Sequence, residues 1–230
     1  MATKKTVAII GASGEMGSAI AKSLANGNYR LLLMSRDKTK LAKLFAYIKR
    51  KSPTAEVAIV ECEKEACWEA DIILIAVPYR LERQVAEKIR EVSTQKIVIS
   101  VSNPLNETYD QLVTAPDMSS AEELQKALPH SKVVKAFNTV FACELTQHTA
   151  TEKQIKTFIA GDDKEALQVV SEMAMSMGLK PVLAGSISQS RNLEQMVLQL
   201  IELKKEENYN NLIGLNIHRH SPITFKSVIR

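Results

Sequence analysis

Cysteine is scarce in this 230-residue chain: Cys62, Cys67 and Cys143 are the whole complement. An odd number at spacings that match no zinc signature argues against both a disulfide framework and a thiolate metal site. Reduced thiols, two of them buried, are the expectation. Histidine is nearly as sparse, at His130, His148, His218 and His220. His218-x-His220 has chelating spacing but no third ligand in sight, and it reads as an exposed tail. No uninterrupted apolar run approaches the roughly 18–20 residues of a spanning helix. Met1-Ala2-Thr3-Lys4-Lys5 runs into a strand without the apolar core of a signal peptide. The expectation is a cytoplasmic protein without a membrane partner. Charge of one sign is also lacking: the net value is +4 with both signs interspersed, and aromatics make up only 5%. No basic stripe interleaved with aromatics is present, so nucleic acid is not an expected partner.

What the chain does have is 45% apolar residues, enough for a real core. It also has one sharply punctuated opening, Val7-Ala8-Ile9-Ile10-Gly11-Ala12-Ser13-Gly14-Glu15-Met16-Gly17. An apolar run breaks into a glycine turn, and Ser18-Ala19-Ile20-Ala21-Lys22-Ser23-Leu24-Ala25 follows with helical spacing. Strand, tight turn and helix form the opening unit of a dinucleotide-binding fold. The head of a helix carries unpaired N–H groups and partial positive charge, so a diphosphate can sit there if no side chain obstructs it. Gly11 suits the turn, Gly14 the approach of the phosphates, and Gly17 close packing of the helix. The spacing is G-x-x-G-x-x-G instead of the usual G-x-G-x-x-G.

Strand and helix alternate thereafter. Strands are expected at 29–34, 57–60, 71–78, 96–101 and 132–137, with helices following residue 40 to about 51, at 81–92 and at about 121–128. Six units of this kind give an α/β fold, a doubly wound, mostly parallel sheet of Rossmann type. A smaller C-terminal α/β extension follows: a strand at 156–161, a helix at 164–177, a strand at 180–185 and a long helix at 188–207. The division is residues 1–150 as the dinucleotide-binding domain and 151–230 as the small C-terminal α/β portion. An irregular hairpin is expected after residue 208.

The second strand ends about 20 residues beyond the glycine turn, where this fold reads the adenosine ribose. NAD-specific proteins place an acidic residue there. This chain has Ser35 and Arg36, with Lys40 one helical turn on. A hydroxyl, a guanidinium and an ammonium suit a 2′-phosphate, which favours NADP(H) over NAD(H). Asp37 reads as a helix cap. Three further strand ends converge at the carboxyl edge of the sheet: Val77-Pro78, Ser102-Asn103-Pro104-Leu105 and Asn138-Thr139. That crevice suits the nicotinamide ribose and ring, with Asn103 and Asn138 offering amides or serving as turn residues. No catalytic acid or base stands out. Hydride transfer to a ring that takes up the charge needs only proximity and orientation. Only about 80 residues follow the sixth strand, too few for a large helical second domain.

Taken together, these motifs resemble the NADPH-dependent reductases of the deazaflavin coenzyme factor 420, and are similar to the cytosolic domain of the six-transmembrane metalloreductases. The resemblance runs from about Lys5 to Leu203. It is carried by the glycine turn, Ser35-Arg36, Ala76-Val77-Pro78, Ser102-Asn103-Pro104-Leu105, Lys135-Ala136-Phe137-Asn138-Thr139, Gly161-Asp162-Asp163, Gly185-Ser186 and Ser190-Arg191. It implies NADPH held by the turn Ser13, Gly14, Glu15 and Met16, a 2′-phosphate on Ser35, Arg36 and Lys40, hydride transfer to a stacked flavin-like ring, and a homodimer. Asn138 stands where the deazaflavin reductases carry histidine, and Gln195 and Val197 where they carry small hydroxyl residues; Lys-Ala-Phe-Asn-Thr is the metalloreductase version. The acceptor therefore stays open among deazaflavin, FMN and FAD. Two other functions remain: an NADP(H) sensor or partner-dependent subunit, and an NADP-dependent dehydrogenase of a small carbonyl compound with Lys135 or His130 as proton donor.

Overall fold

The computed structural model describes residues 4–146 and 155–206. The sheet begins with β1 (Lys5–Ile10), β2 (Tyr29–Met34) and β3 (Glu56–Ile59). It continues through β4 (Ile72–Ile75), β5 (Ile97–Ser100), β6 (Lys132–Lys135), β7 (Lys156–Gly161) and β8 (Lys180–Gly185). The order across it is β3-β2-β1-β4-β5-β6-β7-β8. Every neighbouring pair is parallel except β6 and β7, which are antiparallel. The C-terminal strands thus extend the same sheet. The 150/151 division lies outside the described residues, as do the hairpin expected after residue 208 and the pair His218-x-His220.

Alternation along the strands sorts the core into two layers, because successive side chains leave opposite faces of a sheet. Val7, Ile9, Leu31, Leu33, Ile72 and Leu74 face one way. They pack beneath α1 (Glu15–Leu24), α2 (Lys38–Lys51) and α7 (Lys164–Ser176). Ala8, Ile10, Leu32, Ile73 and Ile75 face the other. They meet α3 (Glu63–Glu69), α4 (Tyr79–Ile89) and α5 (Ser120–Ala127). The central strands are apolar at consecutive positions because both faces are covered. A short helix, α6 (Ala142–Thr146), adds Leu145 to the first layer. The last helix, α8 (Ser190–Glu206), lays Leu193 and Met196 against Phe158 and Ala160 of β7. No described helix is long and apolar enough to cross a membrane.

Helix ends follow local chemistry. Asp37 accepts from the Lys40 amide at 2.9 Å and caps α2. Ser119 and Glu122 form a reciprocal capping box on α5. Gly178, at φ +77°, ends α7 as expected of a glycine just past a helix.

Several expectations need correction. The link after β3 holds a helix, α3, which begins directly after Cys62 and is too short for a periodic signal to stand out. The sixth strand stops at Lys135 instead of residue 137, because Phe137 turns into the left-handed region at φ +63°. The final helix starts at Ser190, after a 3-10 turn over Ile187–Gln189. Only Cys67 of the three thiols is buried; Cys62 is exposed and Cys143 intermediate. Burial pushes the Cys67 thiol up to about 12, so it is an inert core side chain.

Candidate active site

Sheet order reverses on either side of β1, and a crevice at the carboxyl edge follows between the ends of β1 and β4. The glycine turn fills its floor. Gly11 adopts φ +88°, and a Cβ there would stand 2.4 Å from the Ala76 carbonyl oxygen. A Cβ on Gly17 would stand 2.3 Å from the Gly11 carbonyl oxygen. Neither position admits a side chain, so the first turn of α1 lies directly on backbone. Gly11 and Ala12 both donate to the Met34 carbonyl at 2.9 Å, joining the turn to the end of β2. Gly14 is the N-cap of α1 and makes no side-chain cap, and its own amide donates to the Gly11 carbonyl at 3.0 Å. Glu15 and Met16 begin the helix itself.

The Ser13 and Ser35 hydroxyl oxygens lie 2.5 Å apart, so the glycine turn and the end of β2 form one surface. Beside them the cations differ in commitment. Lys38 pairs with Glu61 at 3.1 Å and Lys40 with Asp37 at 3.6 Å. Arg36 is exposed and has no carboxylate partner among the described residues. The bond from the Lys40 amide holds the Asp37 carboxyl below its usual range.

Beyond the mouth of β4, Val77 is half-buried and Pro78 exposed, and Pro78 is the residue immediately before α4. Asn103 and Asn138 face each other across the ends of β5 and β6. Asn138 Nδ2 donates to Asn103 Oδ1 at 3.0 Å and to the Leu193 carbonyl at 3.2 Å. Asn103 Nδ2 donates to the Asn138 carbonyl at 3.2 Å. These bonds fix both amide orientations. They leave Asn138 Oδ1 buried and without a hydrogen-bond partner.

Comparison with known proteins decides the family. The description "NADP oxidoreductase coenzyme F420-dependent" matches residues 6–104. The F420-dependent NADP reductase of Methanocaldococcus jannaschii is 30% identical over 206 residues, covering 86% of this chain and 91% of its own. This chain belongs to the F420-dependent NADP reductase family. It is an NADP-dependent oxidoreductase. The metalloreductase STEAP3 of Rattus norvegicus is 31% identical over 195 residues, but that match spans only 37% of the metalloreductase. Among solved structures, an Arthrobacter protein described as a candidate F420-dependent NADP reductase superposes with a TM-score of 0.75 at 23% identity, covering 86% of this chain and 93% of its own. That likeness speaks to the fold.

Within this F420-dependent NADP reductase family member, the sequence-predicted residues fall into two groups on one sheet edge. Gly11, Ser13, Gly14, Ser35 and Arg36 gather around the head of α1, with Lys40 partly engaged by Asp37. Val77, Pro78, Asn103 and Asn138 lie at the ends of β4, β5 and β6. Of the two candidate proton donors, His130 is exposed and sits just before β6 starts, at the opposite edge of the sheet. Lys135 is fully buried and donates to Ser102 O at 2.6 Å, Ser120 Oγ at 2.8 Å and Glu194 Oε1 at 2.6 Å. All three ammonium hydrogens are therefore engaged by protein.

Two buried carboxylates were not legible in the sequence. Glu194 lies one turn into α8 and Glu82 within α4, both with apolar neighbours in sequence. Glu82 accepts from Ser100 Oγ at 3.3 Å. Burial raises its carboxyl to about 7 against the pull of the Lys135 charge. A charged residue on a helix gives no sign that it points inward unless a complementary charge is placed opposite, and Lys135 was read as a strand residue.

Beside Glu194, a cavity of about 360 Å³ opens between the 110–118 loop and α8, lined in part by Leu112, Met118, Arg191 and Gln195. A larger one, about 590 Å³, lies between α4 and α5 and does not border the glycine turn.

Proposed function

We propose that this chain transfers hydride between NADPH and a planar deazaflavin acceptor of the F420 type. The observation that carries the reading is the continuous surface from the glycine turn to Ser35 and Arg36, joined at Ser13 and Ser35. Backbone too close for any Cβ at Gly11 and Gly17 lets a pyrophosphate reach the head of α1. Arg36, uncommitted among the described residues, and Ser35 supply charge-assisted and neutral bonds to a 2′-phosphate; Lys40 shares its charge with Asp37 and contributes less. Glu15 and Met16 line the approach, and Val77 and Pro78 flank the bridging ribose.

At the nicotinamide end, the unpartnered Asn138 Oδ1 accepts from the carboxamide, and Asn103 holds that amide in place. The reduced nicotinamide supplies the hydride, and the chain's residues supply binding, orientation and exclusion of water. The cavity between the 110–118 loop and α8 takes the acceptor ring, with residues 151–230 completing that site and, in the homodimer, the interface. The kinship with the Methanocaldococcus reductase favours F420 over FMN or FAD. A small carbonyl substrate is disfavoured because it needs a proton donor, and neither Lys135 nor His130 is placed to be one.

The test is NADPH oxidation followed at its absorbance band with F420, FMN and FAD in turn. Turnover with F420 well above that with FMN or FAD is the expected result. Tight NADPH binding with no oxidation by any acceptor would instead favour a sensor or partner-dependent subunit.

A further inference from the structure

The Lys135 ammonium reaches three different elements. Ser102 lies two residues past β5, Ser120 opens α5, and Glu194 belongs to α8. Ser120 donates to the same Glu194 carboxylate from its hydroxyl at 2.6 Å and from its amide at 3.1 Å. Lys135 and Glu194 have side-chain exposures of 0% and 1%, so this cross-link is sealed from water. Two positions on, buried Phe137 takes φ +63°, a region that a bulky side chain enters only when its surroundings force it. One position further, Asn138 bonds to the Leu193 carbonyl, adjacent to Glu194. The strained residue is thus held between two polar anchors, and both reach the same turn of α8.

We infer that Lys135 and Glu194 are positioning residues for hydride transfer: their ion pair seats α8 on the carboxyl edge of the sheet and, through Leu193 and Asn103, holds the Asn138 amide with its Oδ1 turned toward the nicotinamide. The inference rests on the proposed reading of that edge as the nicotinamide end. An apolar pair would fill the same space at no greater cost in stability, since buried ion pairs are expensive to desolvate. What an apolar pair lacks is direction. Five bonds of fixed geometry among Lys135, Ser120 and Glu194 set one register of α8, and the adjoining Leu193 carbonyl inherits it.

The experiment compares wild type with Glu194→Gln, which leaves Lys135 without its carboxylate, and with the uncharged pair Lys135→Met/Glu194→Leu, which removes both charges of the ion pair together in case the single variant fails to fold. Calorimetry with 2′,5′-ADP, a fragment without nicotinamide, and with NADPH separates the two ends of the site. Fluorescence of the bound reduced nicotinamide reports its immobilisation. The expected result is unchanged 2′,5′-ADP affinity, NADPH weakened by about tenfold, the equivalent of one hydrogen bond, and loss of the bound-state fluorescence shift. Hydride transfer to F420 should fall by about a hundredfold in the uncharged pair, as for a small misplacement of reacting atoms. Folded variants with wild-type NADPH affinity and fluorescence would overturn the inference, as would parallel losses for 2′,5′-ADP and NADPH. A wild-type chain that binds neither nucleotide would overturn the cofactor reading and this inference with it.

Discussion

The hydroxyl oxygens of Ser13 and Ser35 lie 2.5 Å apart although 22 positions separate them in the chain. One belongs to the turn after β1 and the other to the end of β2. Their contact makes a single surface from two loops, so a ligand group that reaches one reaches the other. A phosphoryl oxygen can exchange that hydroxyl pair for charge-assisted bonds, and Arg36 stands beside it.

Arg36→Ala should therefore weaken NADPH by about 1.5–3 kcal/mol, the value of a bond to a charged group, and leave NADH nearly unaffected. Titration of both nucleotides against the variant checks this. Equal losses for the two would remove Arg36 from the 2′-phosphate site. Lys40→Ala should have the smaller effect of the two, because Asp37 already shares its charge.

Gly17→Ala places a methyl group 2.3 Å from the Gly11 carbonyl oxygen, a backbone atom that cannot step aside alone. The helix must lift off the turn. A loss of about 1–3 kcal/mol in stability is expected for such overpacking, together with weaker NADPH binding because the head of α1 moves. Thermal unfolding with and without NADPH separates the two effects. An unchanged melting temperature would contradict the close packing described.

Asn138→Asp keeps the shape of the side chain but removes the donor hydrogens that Asn103 Oδ1 and the Leu193 carbonyl accept. Three oxygens then face one another in a buried place. A loss of NADPH affinity and of hydride transfer is expected, with 2′,5′-ADP binding retained. If binding of the fragment fell equally, Asn138 would have a general structural role instead.

Glu82 carries a pH signature. Burial raises its folded carboxyl to about 7 from the ordinary 4.5. Between those values the folded chain holds a proton that the unfolded chain has released, so stability from this group is full below about pH 4.5 and is lost as pH rises toward 7. The amount at stake is of order 3 kcal/mol. Glu82→Gln cannot release a proton, so its melting temperature should gain on wild type between pH 5 and pH 8. Parallel pH profiles for the two proteins would show that Glu82 titrates normally.

The succession of strands along the chain was legible because it rests on the strongest sequence signals. Apolar runs such as Ile72–Ile75, broken by polar turns, give strands whichever side chains surround them. The shape of the glycine turn was legible because few other residues fit backbone packed that closely; the role of Ser35 and Arg36 is the proposal that the nucleotide titrations test. The Lys135 and Glu194 pair was not, since 59 positions separate the partners and each looks like an ordinary surface residue in its own segment. The turn at Phe137 was hidden for a related reason: nothing local favours a left-handed phenylalanine, and only the bonds on either side of it hold that conformation. The seven-residue helix over Glu63–Glu69 escaped because it spans two turns, too few for periodicity to separate it from a loop.

The most direct test of the account is calorimetric titration of the wild-type chain with NADPH and with NADH under one set of conditions. The account predicts that NADPH binds tighter by a factor of about ten or more, the minimum expected for one charge-assisted bond to a 2′-phosphate. Equal affinity for the two nucleotides, or no heat from either, would contradict it.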